Sequence, residues 1–321
     1  MNASVHGTVL VIGGAGFVAG FLVPALRQAG WTVRTLDKIE HSHTGVQSWV
    51  GDVREPATLR EPMSGCDLVI NLAAEHRDDV RPISLYDEVN VGGAQNVCAI
   101  ATECGVTRQI FTSSVAVYGA QSVPITEESP HNYFNDYGRT KHLAEIEYKK
   151  WRDASPQNTV VFVRPTVIFG PGNRGNVYNL LRQIKHGPFI MFGNGRNRKS
   201  MACVENIAGF LTHLSTAGFG NDVYNYADKP DFSMIELVAF ADEALGRSGG
   251  RKGVPGWIGI AGGRVADVAA FVLRRPLPLS AVRVRKFMMS SEIANDKVLS
   301  AGFVPAVDMR DALRRMLADH V

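Results

Sequence analysis

Thr8–Ile12 (TVLVI) runs straight into Gly13-Gly14-Ala15-Gly16, and a helical pattern follows over Phe17–Ala29 until Gly30 stops it. A run this apolar is buried on both faces, as the strands of a parallel sheet are. The first glycine permits a tight turn, and the second lets the backbone approach a pyrophosphate at a helix N-terminus. Asp37 ends the next strand, Thr32–Leu36, and falls 24 residues after Gly13, where a ribose-binding carboxylate belongs. Ala19 stands where a third glycine is usual and is small enough for the helix to pack closely on the strand. Few folds other than a dinucleotide-binding α/β fold satisfy this unit. Asp37 repels a 2′-phosphate, which favours NAD over NADP, with Arg34 and Lys38 as the opposing charges nearby.

The alternation continues with a strand at Asp67–Ala73, a helix at Leu85–Glu103, a strand at Arg108–Ser113, a helix at Tyr137–Arg152 and a strand at Thr159–Arg164. Strands alternating with helices predict right-handed crossovers and a doubly wound parallel sheet of the Rossmann kind. After Pro165 the rhythm changes: loops rich in Gly, Asn and Pro occupy Phe169–Arg198, followed by short helices (Ile207–Ser215, Met234–Gly246) and a strand at Val223–Tyr226. The expected organisation is a cofactor domain over 1–165 and a smaller, partly interleaved substrate lobe over 166–321. Some segments, about 200–225, are expected to return to the first domain.

Composition removes several classes. A net charge of +3 without a Lys/Arg block argues against nucleic acid. Cys66, Cys98, Cys104 and Cys203 form no Cys-x-x-Cys pair and no metal-ligand spacing, so reduced thiols in a cytoplasmic protein without a metal are expected. The N-terminus enters a strand, with no evident signal peptide. Val254–Leu273 is the one long apolar stretch. Pro255, its glycines, Arg264 and Asp267 argue against a membrane span. A helix packed on the protein body is preferred over a surface-lying or partner-facing one.

Tyr137-Gly-Arg-Thr-Lys141 carries the chemistry. Residues four apart share a helix face, so the phenol and the ammonium point the same way. A nearby cation favours phenolate and is expected to lower the tyrosine pKa, making Tyr137 a general acid/base for a carbinol proton. Ser113-Ser114 ends the preceding strand. Glu75-His76-Arg77-Asp78-Asp79 follows a strand at the sheet's carboxyl edge, where charged groups can meet substrate hydroxyls. His131, Asn132 and Tyr133 precede the catalytic helix and are weaker candidates; Arg274 and Arg275 read as a charged helix end.

The order Gly13-x-x-Gly16, Asp37, Gly51-Asp52-Val53, Asn71-Leu-Ala-Ala74, Asn90, Ser113-Ser114, Tyr137…Lys141 and Arg164-Pro-Thr-Val-Ile-Phe-Gly-Pro-Gly172 resembles the extended short-chain dehydrogenase/reductase superfamily. Within it, the chain is similar to the NAD-dependent nucleotide-sugar epimerase/dehydratase branch over nearly its whole length, thinning between Gly249 and Leu279. The resemblance implies an NAD site lined by Gly13, Gly16, Phe17, Val18, Asp37, Lys38, Asp52, Val53, Leu72, Ala73, Ala74, Asn90, Ser113, Tyr137, Lys141 and Pro165. Ser114, Tyr137 and Lys141 match the family's catalytic residues. His76, Ser114, Asn176, Arg198, Lys199, Arg283 and Arg285 are the implied substrate contacts. In Gly193-Asn-Gly-Arg-Asn-Arg-Lys199, Lys199 stands where the family's hairpin carries a diphosphate-binding arginine, with Arg198 adjacent.

Dehydratases of this branch carry an Asp-Glu pair directly after the catalytic hydroxyl residue. Val115 and Ala116 occupy those positions here and cannot move protons, which argues against 4,6-dehydration. The resemblance thus implies C4 epimerisation of a UDP-hexose through a transient 4-keto sugar. Alternatives are a 4-keto-sugar reductase, a hydroxysteroid-type dehydrogenase or a non-catalytic NAD sensor. It also implies a homodimer built from the helices at 85–103 and 137–152.

Overall fold

The computed structural model describes residues 6–77, 80–121, 124–187, 189–218, 220–247, 253–273, 275 and 280–319, without the side chains at 269–272, 282, 283, 286 and 319. In chain order come β1 Thr8–Ile12, α1 Ala19–Gln28, β2 Thr32–Asp37, β3 Gln47–Val50, α2 Ala57–Met63, β4 Leu68–Asn71 and α3 Ser84–Tyr86. A π-helical turn, Asp87–Gly92, leads into α4 Gly93–Glu103, β5 Arg108–Thr112, a 3-10 turn Val115–Val117, α5 Asp136–Asp153 and β6 Thr159–Pro165. Then follow β7 Val167–Phe169, α6 Asn176–His186, β8 Met191–Phe192, β9 Arg198–Cys203, α7 Val204–Ala217, β10 Asp222–Tyr226 and β11 Asp228–Ser233. The last elements are α8 Met234–Ala244, β12 Gly253–Val254, α9 Gly256–Leu273, α10 Ala281–Met288, α11 Asp296–Ser300 and α12 Met309–Asp319.

The chain divides into two units, the first comprising Met1–Ile168, Ala202–Ala227 and Ile293–Val307. Its seven-stranded sheet has the order β10-β6-β5-β4-β1-β2-β3, parallel throughout. Alternate residues of β1 enter opposite cores. Val9 and Val11 pack with Leu22, Leu26, Ile207 and Phe210 of α1 and α7. Leu10 and Ile12 pack with Leu59, Val97, Ala144 and Tyr148 of α2, α4 and α5. Strand order reverses between β1 and β4, and in such sheets the crevice at the carboxyl ends of the strands there receives ligands.

Two expectations for this unit need correction. Gln47–Val50 was not read as a strand; it lies at the sheet edge with no fully buried residue, so the apolar run that marks an interior strand is missing. The segment read as one helix, Leu85–Glu103, is interrupted by the π-helical turn, whose buried residue is Asn90. Such turns insert one residue into the helical ladder and commonly mark functional positions.

The second unit comprises Phe169–Met201, Asp228–Glu292 and Asp308–Val321. Residues of β9 and β11 pair antiparallel, Lys199 opposite Phe232, and β8 pairs with β12. A capping box starts α8: Ser233 Oγ accepts from Glu236 N while the Glu236 carboxylate accepts from Ser233 N. The stretch read as a packed apolar helix, Val254–Leu273, forms β12 and α9, and among its described side chains Trp257 is 71%, Val265 71% and Val268 65% exposed. Gly259 and Gly263 are buried on its inward face.

Candidate active site

At the carboxyl end of β1, Gly13 adopts φ +89°. A Cβ there would lie 3.0 Å from Ala73 N, so only glycine lets the turn lie against Leu72 and Ala73. Gly13 N and Gly14 N donate to Leu36 O at 2.8 and 3.0 Å. Asp37 secures the turn from the end of β2: its Oδ2 accepts from Ala15 N at 3.0 Å and its Oδ1 from Ile39 N at 3.2 Å. An ionised carboxylate has about four acceptor sites, so two backbone bonds leave capacity for ribose hydroxyls. No side chain caps α1 at Val18, and the positive end of its dipole points past Gly16, Phe17 and Val18. A tight glycine cradle, an uncapped helix N-terminus and a carboxylate on the neighbouring strand together fit an adenine dinucleotide.

Asp52 follows β3, and its carboxylate is taken by Arg54 Nη2 at 2.7 Å; that hydrogen bond holds its pKa below the usual carboxylate range. Val53 is buried in the core. At the end of β4, Asn71 Oδ1 accepts from Ala73 N at 2.9 Å and Nδ2 donates to Tyr148 of α5, also at 2.9 Å, which fixes the path of Leu72–Ala74. Asn90 uses its whole carboxamide. Oδ1 accepts from Glu75 N at 2.8 Å; Nδ2 donates to Glu75 O at 3.0 Å and to Thr140 Oγ1 at 2.9 Å. It therefore clasps the segment after Ala74 to α5. Arg77 pairs with Glu75 at 3.6 Å and His76 is exposed; Asp78 and Asp79 lie outside the described residues.

Asn135 caps α5, accepting from Gly138 N at 2.9 Å, and so starts the helix with Tyr137 in its first turn. A Cβ on Gly138 would collide with Ala116 O, so glycine brings α5 directly onto the 3-10 turn that Ser114 caps. The Ser114 side chain acts there on the Tyr137 phenol and favours its ionised form. Lys141, 2% exposed, donates from Nζ to Thr112 O at 2.7 Å and sits 4.5 Å over the Phe111 ring. Ser114, Tyr137 and Lys141 are thus drawn to the carboxyl end of β5, with Ser113 bonded through its N–H to Val163 O and Pro165 ending β6 alongside.

The expected direction of the Tyr137 shift is corrected. Burial raises its phenol above the ordinary value, and the Ser114 side chain offsets this only in part. Burial also pulls Lys141 down to about 7 against the Glu145 carboxylate. A cation that desolvation has weakened, and that is bonded to a backbone carbonyl, cannot outweigh the desolvation of the phenol.

Beneath this face lies a buried ion pair. Arg164 Nε and Nη2 donate to Glu145 Oε1 and Oε2 at 2.8 and 2.6 Å, and Nη1 donates to Tyr118 Oη at 2.5 Å. Tyr118 donates on to Asn225 at 2.8 Å. Among the described residues, His131, His142 and Glu145 bring potential metal-ligating atoms within 4.8 Å, but both Glu145 oxygens already face the guanidinium. The His131 ring lies tilted against His142 with centroids 4.2 Å apart, and burial lowers the His131 pKa to about 4. Asn132 and Tyr133 are exposed.

The implied substrate contacts other than Ser114 and His76 lie in the second unit. Asn176 opens α6 and is exposed. Arg198 donates to Asp231 O at 2.8 Å and lies 3.8 Å from Glu236, so its guanidinium braces the start of α8. Burial lowers Lys199 to about 8. Arg285 is exposed on α10, and the Arg283 side chain lies outside the described residues. Sequence reasoning missed the Thr112 carbonyl, which no side-chain pattern announces. It also missed Asn135, whose Asn-Asp-Tyr context is a readable helix start.

Residues 9–227 match the model of the NAD dependent epimerase/dehydratase family. The chain is 42% identical over 311 residues to the N-acetyl-alpha-D-glucosaminyl-diphospho-ditrans,octacis-undecaprenol 4-epimerase of Escherichia coli O157:H7, covering 96% of this chain and 94% of that one. It is 30% identical over 264 residues to the UDP-glucose 4-epimerase of Vibrio cholerae, covering 78% and 79%. The UDP-glucose 4-epimerase of Thermotoga maritima, solved with UDP-glucose, shares the fold with a TM-score of 0.76 at 18% identity, each chain covered to 97%. These findings bear out the reading of the sequence as an NAD-dependent epimerase with a Rossmann sheet. NAD is its cofactor, and the chain belongs to the NAD-dependent epimerase/dehydratase family.

Proposed function

We propose that this enzyme inverts C4 of an N-acetylhexosamine carried on a diphosphate, and that the carrier is a polyprenol. The observation that carries the chemistry is the convergence of Ser114 and Tyr137 after β5, where Gly138 brings α5 onto the turn that Ser114 caps, with Lys141 anchored on the carbonyl of Thr112. Tyr137 accepts the C4 hydroxyl proton and returns it after the sugar has turned over. Ser114 donates to the same oxygen as it becomes a carbonyl and again as it is reduced. Lys141 supplies the cation that supports the phenolate while the proton is away. NAD, when bound, supplies the hydride acceptor and then the donor. Val115 and Ala116 hold no proton to donate, so the 4-keto sugar is re-reduced rather than dehydrated.

The carrier is read from the Escherichia coli relative, whose name places its sugar on diphospho-undecaprenol and which is the more similar of the two curated epimerases described above. A homodimer through α4 and α5 and a cytoplasmic location belong to the same reading. Proton NMR of the enzyme with catalytic NAD tests it. N-acetylglucosaminyl diphosphoprenol should yield its C4 epimer faster than UDP-N-acetylglucosamine or UDP-glucose does. Turnover confined to the nucleotide sugars would reject the polyprenol carrier.

A further inference from the structure

Helix α9 is built inside out. Three of its inward positions are glycines: a Cβ on Gly256 would lie 2.7 Å from Met288 Sδ, one on Gly263 would lie 2.5 Å from Ala281 N, and one on Gly259 would collide with the Phe192 ring. These contacts press α9 closely onto α10 and β8. On the opposite side Trp257, Ala261, Arg264, Val265 and Val268 follow helical spacing, and all are exposed. A helix in water ordinarily shows the reverse pattern, and a contiguous exposed apolar face marks an interaction surface.

Charge indicates what covers this face. Between residues 251 and 286 the sequence has eight Lys or Arg and one acid, in a chain whose whole net charge is +3. Arg264 lies within the apolar stripe, and Arg275 and Arg285 are exposed beside α9 and on α10. The one acid, Asp267, is turned to the start of α10, its Oδ2 accepting from Ala281 N at 3.1 Å. Among the described residues no helix is long and apolar enough to cross a membrane. An outward Trp and valines with an arginine in the same stripe, in a strongly basic segment that does not span, match a helix lying in an anionic bilayer surface.

We infer that α9 docks this enzyme onto an anionic phospholipid surface, with Trp257, Val265 and Val268 entering the interface and Arg264 meeting phosphate. The inference rests on the polyprenol reading for its purpose: a carrier embedded in the bilayer must be met at that surface. The full-length protein is sedimented with vesicles of phosphatidylcholine alone or mixed with phosphatidylglycerol. It should accompany the mixed vesicles, less so as salt rises, and bind the neutral ones weakly. Combined Trp257→Ser, Val265→Ser and Val268→Ser should lower the partition at least tenfold, and Arg264→Glu at least about fivefold. Absence of binding to anionic vesicles, or equal binding by the serine variant, would overturn the inference. So would conversion of a solution dimer to a monomer by the serine variant, which would give the face to a second copy. Turnover in detergent micelles separates the two claims. Wild type that turns over the lipid-linked sugar without binding vesicles defeats docking alone; wild type that binds vesicles but turns over only nucleotide sugars defeats the carrier alone.

Discussion

Arg164→Met isolates the buried ion pair that holds the catalytic helix. It deletes two bonds to Glu145 and one to Tyr118, and leaves a carboxylate that is 0% exposed without its guanidinium. Removing one partner of a buried pair costs about 3–5 kcal/mol, because the remaining charge is stranded. Urea unfolding at neutral pH should show a loss of that size. The pH dependence gives a sharper signature. In the wild type, burial raises Glu145, but the Arg164 hydrogen bonds and charge outweigh it, so its folded pKa is lowered. Stability from this group is then present above its unfolded pKa and is lost as pH falls. In the variant burial is opposed only by Ser113 and Lys149, so the folded pKa rises and the stability this group contributes at neutral pH is lost. The deficit of Arg164→Met should therefore shrink on acidification. Pairing it with Glu145→Leu should recover part of the loss, since an apolar pair of similar volume is often neutral or better. A loss under about 1 kcal/mol, or a deficit that grows as pH falls, would refute the assignment.

Three further substitutions probe the site. Ser114→Ala removes the proposed donor to the C4 oxygen and should lower kcat by about a hundredfold or more with NAD affinity unchanged; steady-state kinetics with NAD titration separates the two. Gly13→Ala places a Cβ 3.0 Å from Ala73 N at φ +89° and should weaken NAD binding at least tenfold by calorimetry, with about 1–2 kcal/mol of strain visible in unfolding. Asn90→Leu strands the backbone N–H and C=O of Glu75 and should cost about 1–3 kcal/mol, measured by thermal unfolding.

The sheet and the glycine turn were legible because their signals are local. The TVLVI run of β1 is apolar since its two faces enter two cores, and Gly13 is required by its own backbone angle. What escaped depends on partners distant in sequence. The edge strand Gln47–Val50 carries no interior pattern, and the π-helical turn has the composition of an ordinary helix. The Tyr137–Lys141 spacing placed both groups on one helix face, but the direction of the Tyr137 shift follows from burial and from the Thr112 carbonyl that holds Lys141. The resemblance makes Arg198 a substrate contact, and the fold engages it with Asp231 and Glu236. The apolar stretch at Val254–Leu273 reads as core unless its glycines are assigned to the inner face, and only the packing on Phe192 and Ala281 makes that assignment.

The most direct test of the chemistry uses N-acetylglucosaminyl diphosphoprenol deuterated at C4, with catalytic NAD in ordinary water. If Tyr137 moves the hydroxyl proton while the C4 hydrogen leaves and returns as hydride, the epimer should retain its deuterium, no stoichiometric NADH should accumulate, and Tyr137→Phe should abolish the product. Exchange of the C4 deuterium with solvent, or full turnover by Tyr137→Phe, would contradict the account.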